Sequence, residues 1–331
     1  MNADIRAGGT VGASPAPIAV VVVGVGRSGT SAITRGVQAL GVELGERLRP
    51  PGGKNPTGFF EDQHLLAINK RLKRLLRIRG DSVRLIGSEE WQAAAVRALQ
   101  REAVETVRRD FGAYPLWGYK YARTLRLLPF WREVFATLRL DVRYVVALRN
   151  PLSVARSRAR LDPRRGTQEQ SDLEWLVNVV PYFRDLRERP FVVVDYDLML
   201  GHPAEQLRRT ATVLGLPLSL HADAAIDAYA AQFLQPGMRH SVFTPRDLDG
   251  ERVNTVTRAA YLWLRGLAAG EADPADPEYW RRWEAIEAQL AAMAPVLRHV
   301  DRVRADLRRA EWNPFGPVQA AARAWRRFRR E

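Results

Sequence analysis

The sequence predicts an α/β protein: a doubly wound, mainly parallel sheet flanked by helices, with a helical C-terminal part. Three observations predict it. Residues 18–26, IAVVVVGVG, form a continuous apolar, β-branched run ending in glycine, the pattern of a parallel strand buried on both faces. Residues 30–41 follow at helical period, with Gly41 set to terminate the helix. Three more short apolar runs, 116–120, 142–149 and 191–197, alternate with helical stretches, as parallel strands joined by crossover helices do.

The remaining elements follow in order. Helical patterns cover 89–111 and 170–188 between the strands, and 203–217 is an amphipathic helix with Pro203 in its first turn and Gly215 near its end. After about residue 220 no strand pattern recurs, and helical patterns fill 221–234, 255–269 and 277–311. No repeat or linker divides the chain. The expected organisation is a flexible tail over 1–16, one domain over 17–311 and a basic amphipathic tail over 312–331. Within the domain, a nucleotide-binding core spans 18–217 and the helical part spans 218–311.

Composition narrows the functional classes. Of the 331 residues 46% are hydrophobic, enough for a sizeable core. There is no cysteine, which excludes a disulfide framework, a thiolate metal site and a cysteine nucleophile. The formal net charge is +14, from 51 basic and 37 acidic residues, and the only lysines are Lys54, Lys70, Lys73 and Lys120. Such a balance favours anionic partners, although coding bias from a GC-rich genome yields the same arginine excess. The longest charge-free stretch, 7–26, contains Pro15, Pro17 and several glycines and is no membrane span. The start MNADIRAGG is not a signal-peptide pattern, so a cytoplasmic location is expected.

The turn after the first strand carries the first chemistry. Gly24 and Gly29 have the GxxxxG spacing of a nucleotide-triphosphate loop, but Thr30 and Ser31 follow where that loop has a lysine and then a magnesium-binding hydroxyl. Backbone N–H groups at the helix N-terminus still favour an anion, and Arg27, Ser28, Thr30 and Ser31 add charge and hydroxyls. A single 5′-phosphate ester suits this loop better than a triphosphate. GVGRSG also satisfies the dinucleotide fingerprint, but its acidic partners would be Glu43 or Glu46, and neither ends a second strand. A second anion site starts at the end of the third strand, where RNPLSVARS brings Arg149 and Ser157 within reach of one phosphate.

Together, VGRSGTS and VVALRNPLSVARS resemble the two nucleotide motifs of the sulfotransferase family, and FVVVDYDLMLGHPAEQLRRTATVLGLP resembles a later family segment. The resemblance runs in order over residues 18–217 and is nearest to bacterial, carbohydrate- or protein-directed members. It implies a P-loop-like fold and use of 3′-phosphoadenosine 5′-phosphosulfate (PAPS) as donor. Arg27, Ser28, Gly29, Thr30 and Ser31 would hold the 5′-phosphosulfate, with Arg27 at the bridging oxygen, while Arg149 and Ser157 would hold the 3′-phosphate. A sulfonyl group carries less charge than a phosphoryl group, so no metal is demanded.

Transfer to a hydroxyl needs a base and a cation. GGKNPTGFFEDQHLL (52–66) resembles a segment of bacterial sulfotransferases, and its Glu61 is the first candidate base, sheltered by FFE; acids favouring a helix's first turn would look the same. His64 and Glu46 are the alternatives. Lys120 ends the second strand and matches a transition-state lysine of the family, although Tyr121 and Ala122 replace the usual aspartate and proline. Arg239 and His240, in FLQPGMRHSVF, match a segment closing over the nucleotide, or form an ordinary surface loop. The basic amphipathic stretch 65–79 reads as a half-buried helix, with contact to an anionic acceptor or a membrane surface as the alternative. The expected partner is a glycan or glycolipid hydroxyl, with peripheral membrane contact and no nucleic acid. A P-loop kinase or NTPase, and a non-catalytic polyanion binder, are the competing functions.

Overall fold

A computed structural model describes residues 16–52, 55, 57–233, 243–250 and 253–312. Four strands, β1 (Ile18–Gly24), β2 (Leu116–Lys120), β3 (Asp141–Leu148) and β4 (Phe191–Asp195), fall on the four apolar runs. All neighbours pair in parallel, in the order β2-β1-β3-β4. The chain runs out from β1 to β2 and returns past it to β3, so the winding reverses between β1 and β3. Ligands of open α/β sheets bind at the carboxyl ends of strands flanking such a reversal.

Alternation along β1 covers both faces of the sheet. Ala19, Val21 and Val23 join a core with Trp131, Phe183 and Trp263, whereas Val20 and Val22 pack with Ile33, Val37 and Leu207. The helices are α1 (Thr30–Ala39), α2 (Gln63–Leu75), α3 (Ser88–Trp91), α4 (Ala94–Phe111), α5 (Leu128–Thr137), α6 (Pro151–Ala159) and α7 (Gln168–Val179). There follow α8 (Tyr196–Gly201), α9 (Pro203–Leu214), α10 (Ala222–Ala228), α11 (Thr255–Ala269), α12 (Pro277–Ala292) and α13 (Ala294–Trp312). The C-terminal helices share the core of one sheet face: the Trp283 ring of α12 lies 4.6 Å from Phe183 and 4.7 Å from Trp263 of α11.

Several expected helices are shorter than their periodicity. The pattern over 277–311 breaks at Met293, because Pro295 has no N–H to continue a helix but fits the first turn of a new one, α13. The pattern over 170–188 stops at Val179 ahead of Pro181, and a 3₁₀ stretch, Phe183–Glu188, completes it. Likewise 89–111 divides into α3 and α4, and 221–234 ends as one wide turn after α10. The 191–197 run also changes at its end: Asp195 accepts from the N–H groups of Asp197 and Leu198, so a helix starts at Tyr196. The expected tails, 1–16 apart from its last residue and 312–331 beyond Trp312, lie outside the described residues.

Candidate active site at the strand ends

The glycine turn is built for close approach. Gly29 sits at φ 79 as the N-cap of α1, and a Cβ there would lie 2.0 Å from Cδ2 of Tyr196. Gly24 sits at φ 146, where a Cβ would meet the Ala147 carbonyl at 2.7 Å. Only glycine meets both demands. Gly29→Ala combines an unfavourable left-handed backbone with a steric collision, and should lower stability by about 2–4 kcal/mol. Thermal unfolding tests this, and an unchanged midpoint would mean the Tyr196 ring simply moves aside. The N–H and the hydroxyl of Ser28 both donate to the Val25 carbonyl, at 3.1 and 2.7 Å. Its side chain is fully buried and shapes the turn.

Two arginines converge on the β1 and β3 ends. Arg27 has a left-handed backbone, φ 80, and its Nε donates to Ser157 Oγ at 3.0 Å. Arg149 Nη1 donates to the Arg27 carbonyl at 3.2 Å, and its guanidinium lies 4.6 Å from the centre of the Tyr196 ring. Asn150 caps α6 by accepting from Leu152 N–H, which with Pro151 fixes the turn between Arg149 and Ser157. Burial, and then the charge of Arg149, lower the Arg27 pKa. Two like charges and a hydroxyl drawn together beside a helix N-terminus have the chemistry to accept a multiply charged anion. Arg27, expected at the 5′ end, thus shares a hydrogen bond with Ser157, expected at the 3′-phosphate.

Lys120 lies next to Ser31. Its Nζ donates to the Phe59 carbonyl at 2.7 Å, to Glu61 Oε1 at 3.1 Å and to Ser31 Oγ at 3.3 Å. Ser31 also accepts from Asn55 Nδ2 at 2.9 Å, tying Asn55 to α1. Lys120 is 4% exposed and Glu61 7%. Burial lowers the Lys120 pKa, and the Glu61 charge works against that shift. Glu61 is sheltered, as FFE implies, but between two cations: Arg49 Nη1 reaches Oε2 at 3.4 Å while its guanidinium stacks 3.7 Å from the Phe59 ring centre. Phe60 has φ 52, a strained conformation for a bulky residue. That kink lies between the carbonyl accepting from Lys120 and the carboxylate paired with it.

Glu61 does not belong to the following helix. Asp62 is the N-cap of α2, accepting from Leu65 N–H at 2.9 Å, so the helix-end account applies to Asp62. The alternative bases lie elsewhere. His64 Nδ1 pairs with Asp110 Oδ2 at 2.7 Å, in a cluster with Arg47 and Arg109, and Glu46 is exposed. Hydrogen bonding from Arg109, aided by His64, lowers the Asp110 carboxyl to about 2. Thr30, 5% exposed, opens α1. Arg239 and His240 lie outside the described residues.

Sequence reading missed Arg49 and Tyr196. Arg49 sits in an irregular stretch, and nothing local ties it to a carboxylate twelve residues on. Tyr196 was concealed in an apparent strand, although a DYD ending with an acid placed to cap a helix is a legible signal.

No protein-family model matches the chain, and no curated protein sequence matches it. Among the solved structures that resemble it, three are each 16% identical. Sulfotransferase STF9 from Mycobacterium avium aligns over 67% of this chain and 70% of its own, with a TM-score of 0.41. The sulfotransferase domain of the Synechococcus PCC 7002 olefin synthase aligns over 84% and 96%, with a TM-score of 0.38. Retinol dehydratase, in complex with androsterone and the inactive cofactor PAP, aligns over 86% and 80%, with a TM-score of 0.33.

Proposed function

We propose that this protein is a PAPS-dependent sulfotransferase that moves a sulfonyl group to a hydroxyl, or an amine, of an acceptor. One observation carries the reading: two sets of hydrogen-bonded cationic and hydroxyl side chains gather at the loop and first turn of α1. Arg27, Arg149 and Ser157 form one, and Lys120 with Glu61 and Ser31 forms the other. A nucleotide bearing anionic groups at both its 3′ and 5′ positions offers a partner to each set, and the loop lacks the lysine that a triphosphate loop places after its last glycine.

The residues would divide the work as follows. Arg149, Ser157 and Arg27 hold the 3′-phosphate, and the loop N–H groups with Thr30 and Ser31 hold the 5′ end. Glu61 takes the acceptor's proton as the acceptor oxygen bonds to sulfur and the bond from sulfur to the 5′-phosphate oxygen breaks. Protonation removes the counter-charge of Lys120 beside Ser31, where negative charge develops on the sulfonyl and leaving oxygens. Adenosine 3′,5′-bisphosphate is the other product. The acceptor is read as a glycan or lipid-linked glycan from the sequence resemblance alone.

Calorimetric titration tests the donor. Adenosine 3′,5′-bisphosphate should bind at least about tenfold more tightly than adenosine 5′-monophosphate, the worth of one charge-assisted phosphate contact. Tighter binding of ATP with magnesium would favour a kinase or NTPase. Steeply salt-dependent DNA binding with no affinity for the bisphosphate would favour a polyanion binder.

A further inference from the structure

The helix α13 and residues 77–84 flank an open cleft of about 340 Å³ lined by arginine. The two aspartates in its walls hold the walls together. Asp301 of α13 accepts from the hydroxyl of Ser82 and, at 2.7 Å, from Val83 N–H. Arg308 donates to Asp81 Oδ2 at 2.8 Å and Arg304 to the Asp81 carbonyl at 3.1 Å. Four further lining residues, Arg77, Arg79, Arg298 and Arg302, are exposed, and none forms a salt bridge with a carboxylate among the described residues. Elsewhere arginines at the surface commonly do, as in Arg71 with Glu102 and Arg184 with Glu284.

Two local features strengthen the contrast. Arg77 occupies the left-handed position after α2, φ 51, where Ile78 N–H returns to the Lys73 carbonyl. Glycine is the ordinary residue at such a helix end, and arginine costs stability there. The cleft is also braced toward the candidate active site. Arg123, three residues beyond Lys120, and Arg165 both donate to the Gly80 carbonyl, at 2.8 and 2.9 Å.

We propose that this cleft is a second anion site, distinct from the donor site, which binds the phosphate or sulfate groups of an anionic saccharide. Arginines lining one concave space gather positive charge there, and their planar forks suit phosphate and sulfate oxygens. The saccharide's role as acceptor rests on the sulfotransferase reading, whereas its binding in the cleft does not. A concave space favours a saccharide over the flat surface of a bilayer.

The test titrates the full chain with a heparin tetrasaccharide and with inorganic tripolyphosphate, in saturating adenosine 3′,5′-bisphosphate so that the donor site is filled. Both probes should bind. The double change Arg298→Ser and Arg302→Ser should weaken each by about tenfold or more and flatten the salt dependence. Arg77→Gly should weaken them about threefold to tenfold while raising the melting temperature, because it relieves the left-handed backbone. Affinity for the bisphosphate should stay unchanged in all these variants. Probe binding unaffected by the substitutions, or displaced by the bisphosphate, would overturn the second site. Binding to vesicles of phosphatidylcholine and phosphatidylglycerol but to neither soluble probe would assign the surface to a membrane instead. If the bisphosphate does not bind at all, the sulfotransferase reading fails, and the probe titrations still decide the cleft.

Discussion

Glu61→Gln should lower the rate of sulfonyl transfer by about a hundredfold to ten-thousandfold, the usual worth of a positioned general base. The substitution keeps the shape of the side chain and an oxygen facing Lys120, but it cannot accept the acceptor's proton. Single-turnover transfer from PAPS should show the loss, while adenosine 3′,5′-bisphosphate binding should stay near its normal affinity. Because Lys120 and Glu61 are a buried pair, removing the negative partner is also a stability experiment. Burial already disfavours the Lys120 ammonium, so the variant should also melt lower, and that effect is measured separately. Near-normal turnover would move proton removal elsewhere. His64, held by Asp110, is the next residue to substitute.

The second large effect is expected on donor affinity. Arg149→Ala should weaken adenosine 3′,5′-bisphosphate by about tenfold to a hundredfold, since a hydrogen bond to a charged group is worth roughly 1.5–3 kcal/mol. Adenosine 5′-monophosphate, which lacks the 3′-phosphate, should lose little. That comparison also controls for the loop: Arg149 supports the Arg27 carbonyl and stacks on Tyr196, so a collapsed turn would weaken both nucleotides together. Equal losses would remove the 3′-phosphate assignment. Arg149→Lys should recover only part of the affinity, because an ammonium keeps the charge but not the planar fork.

Residues near in sequence were the legible ones. The β-branched runs, Gly29, Arg149 and Ser157 announce themselves through alternation, turn chemistry and an eight-residue spacing across one strand-to-helix turn. The partners of those residues were not legible in the same way. Arg27 meets Ser157 across 130 positions, and Lys120 meets Glu61 across 59. Local pattern also overstated regularity. Pro181 and Pro295 interrupt helices whose apolar period continues past them, and Asp195 starts a helix inside an apparent strand.

The sequence by itself determined a parallel α/β sheet, a loop that lacks the NTPase lysine, and arginine-rich chemistry suited to anions. These follow from periodicity, glycine geometry and side-chain type, which act over a few residues. Tertiary structure alone decided which cation meets which hydroxyl, turning Arg27 to Ser157 and setting Lys120 beside Ser31. It also decided that the Glu61 carboxylate lies between Lys120 and Arg49, and that arginines of residues 77–84 and α13 share one cleft. Strand order and helix packing bring such groups together from distant positions, and no local signal encodes a contact made across the sheet.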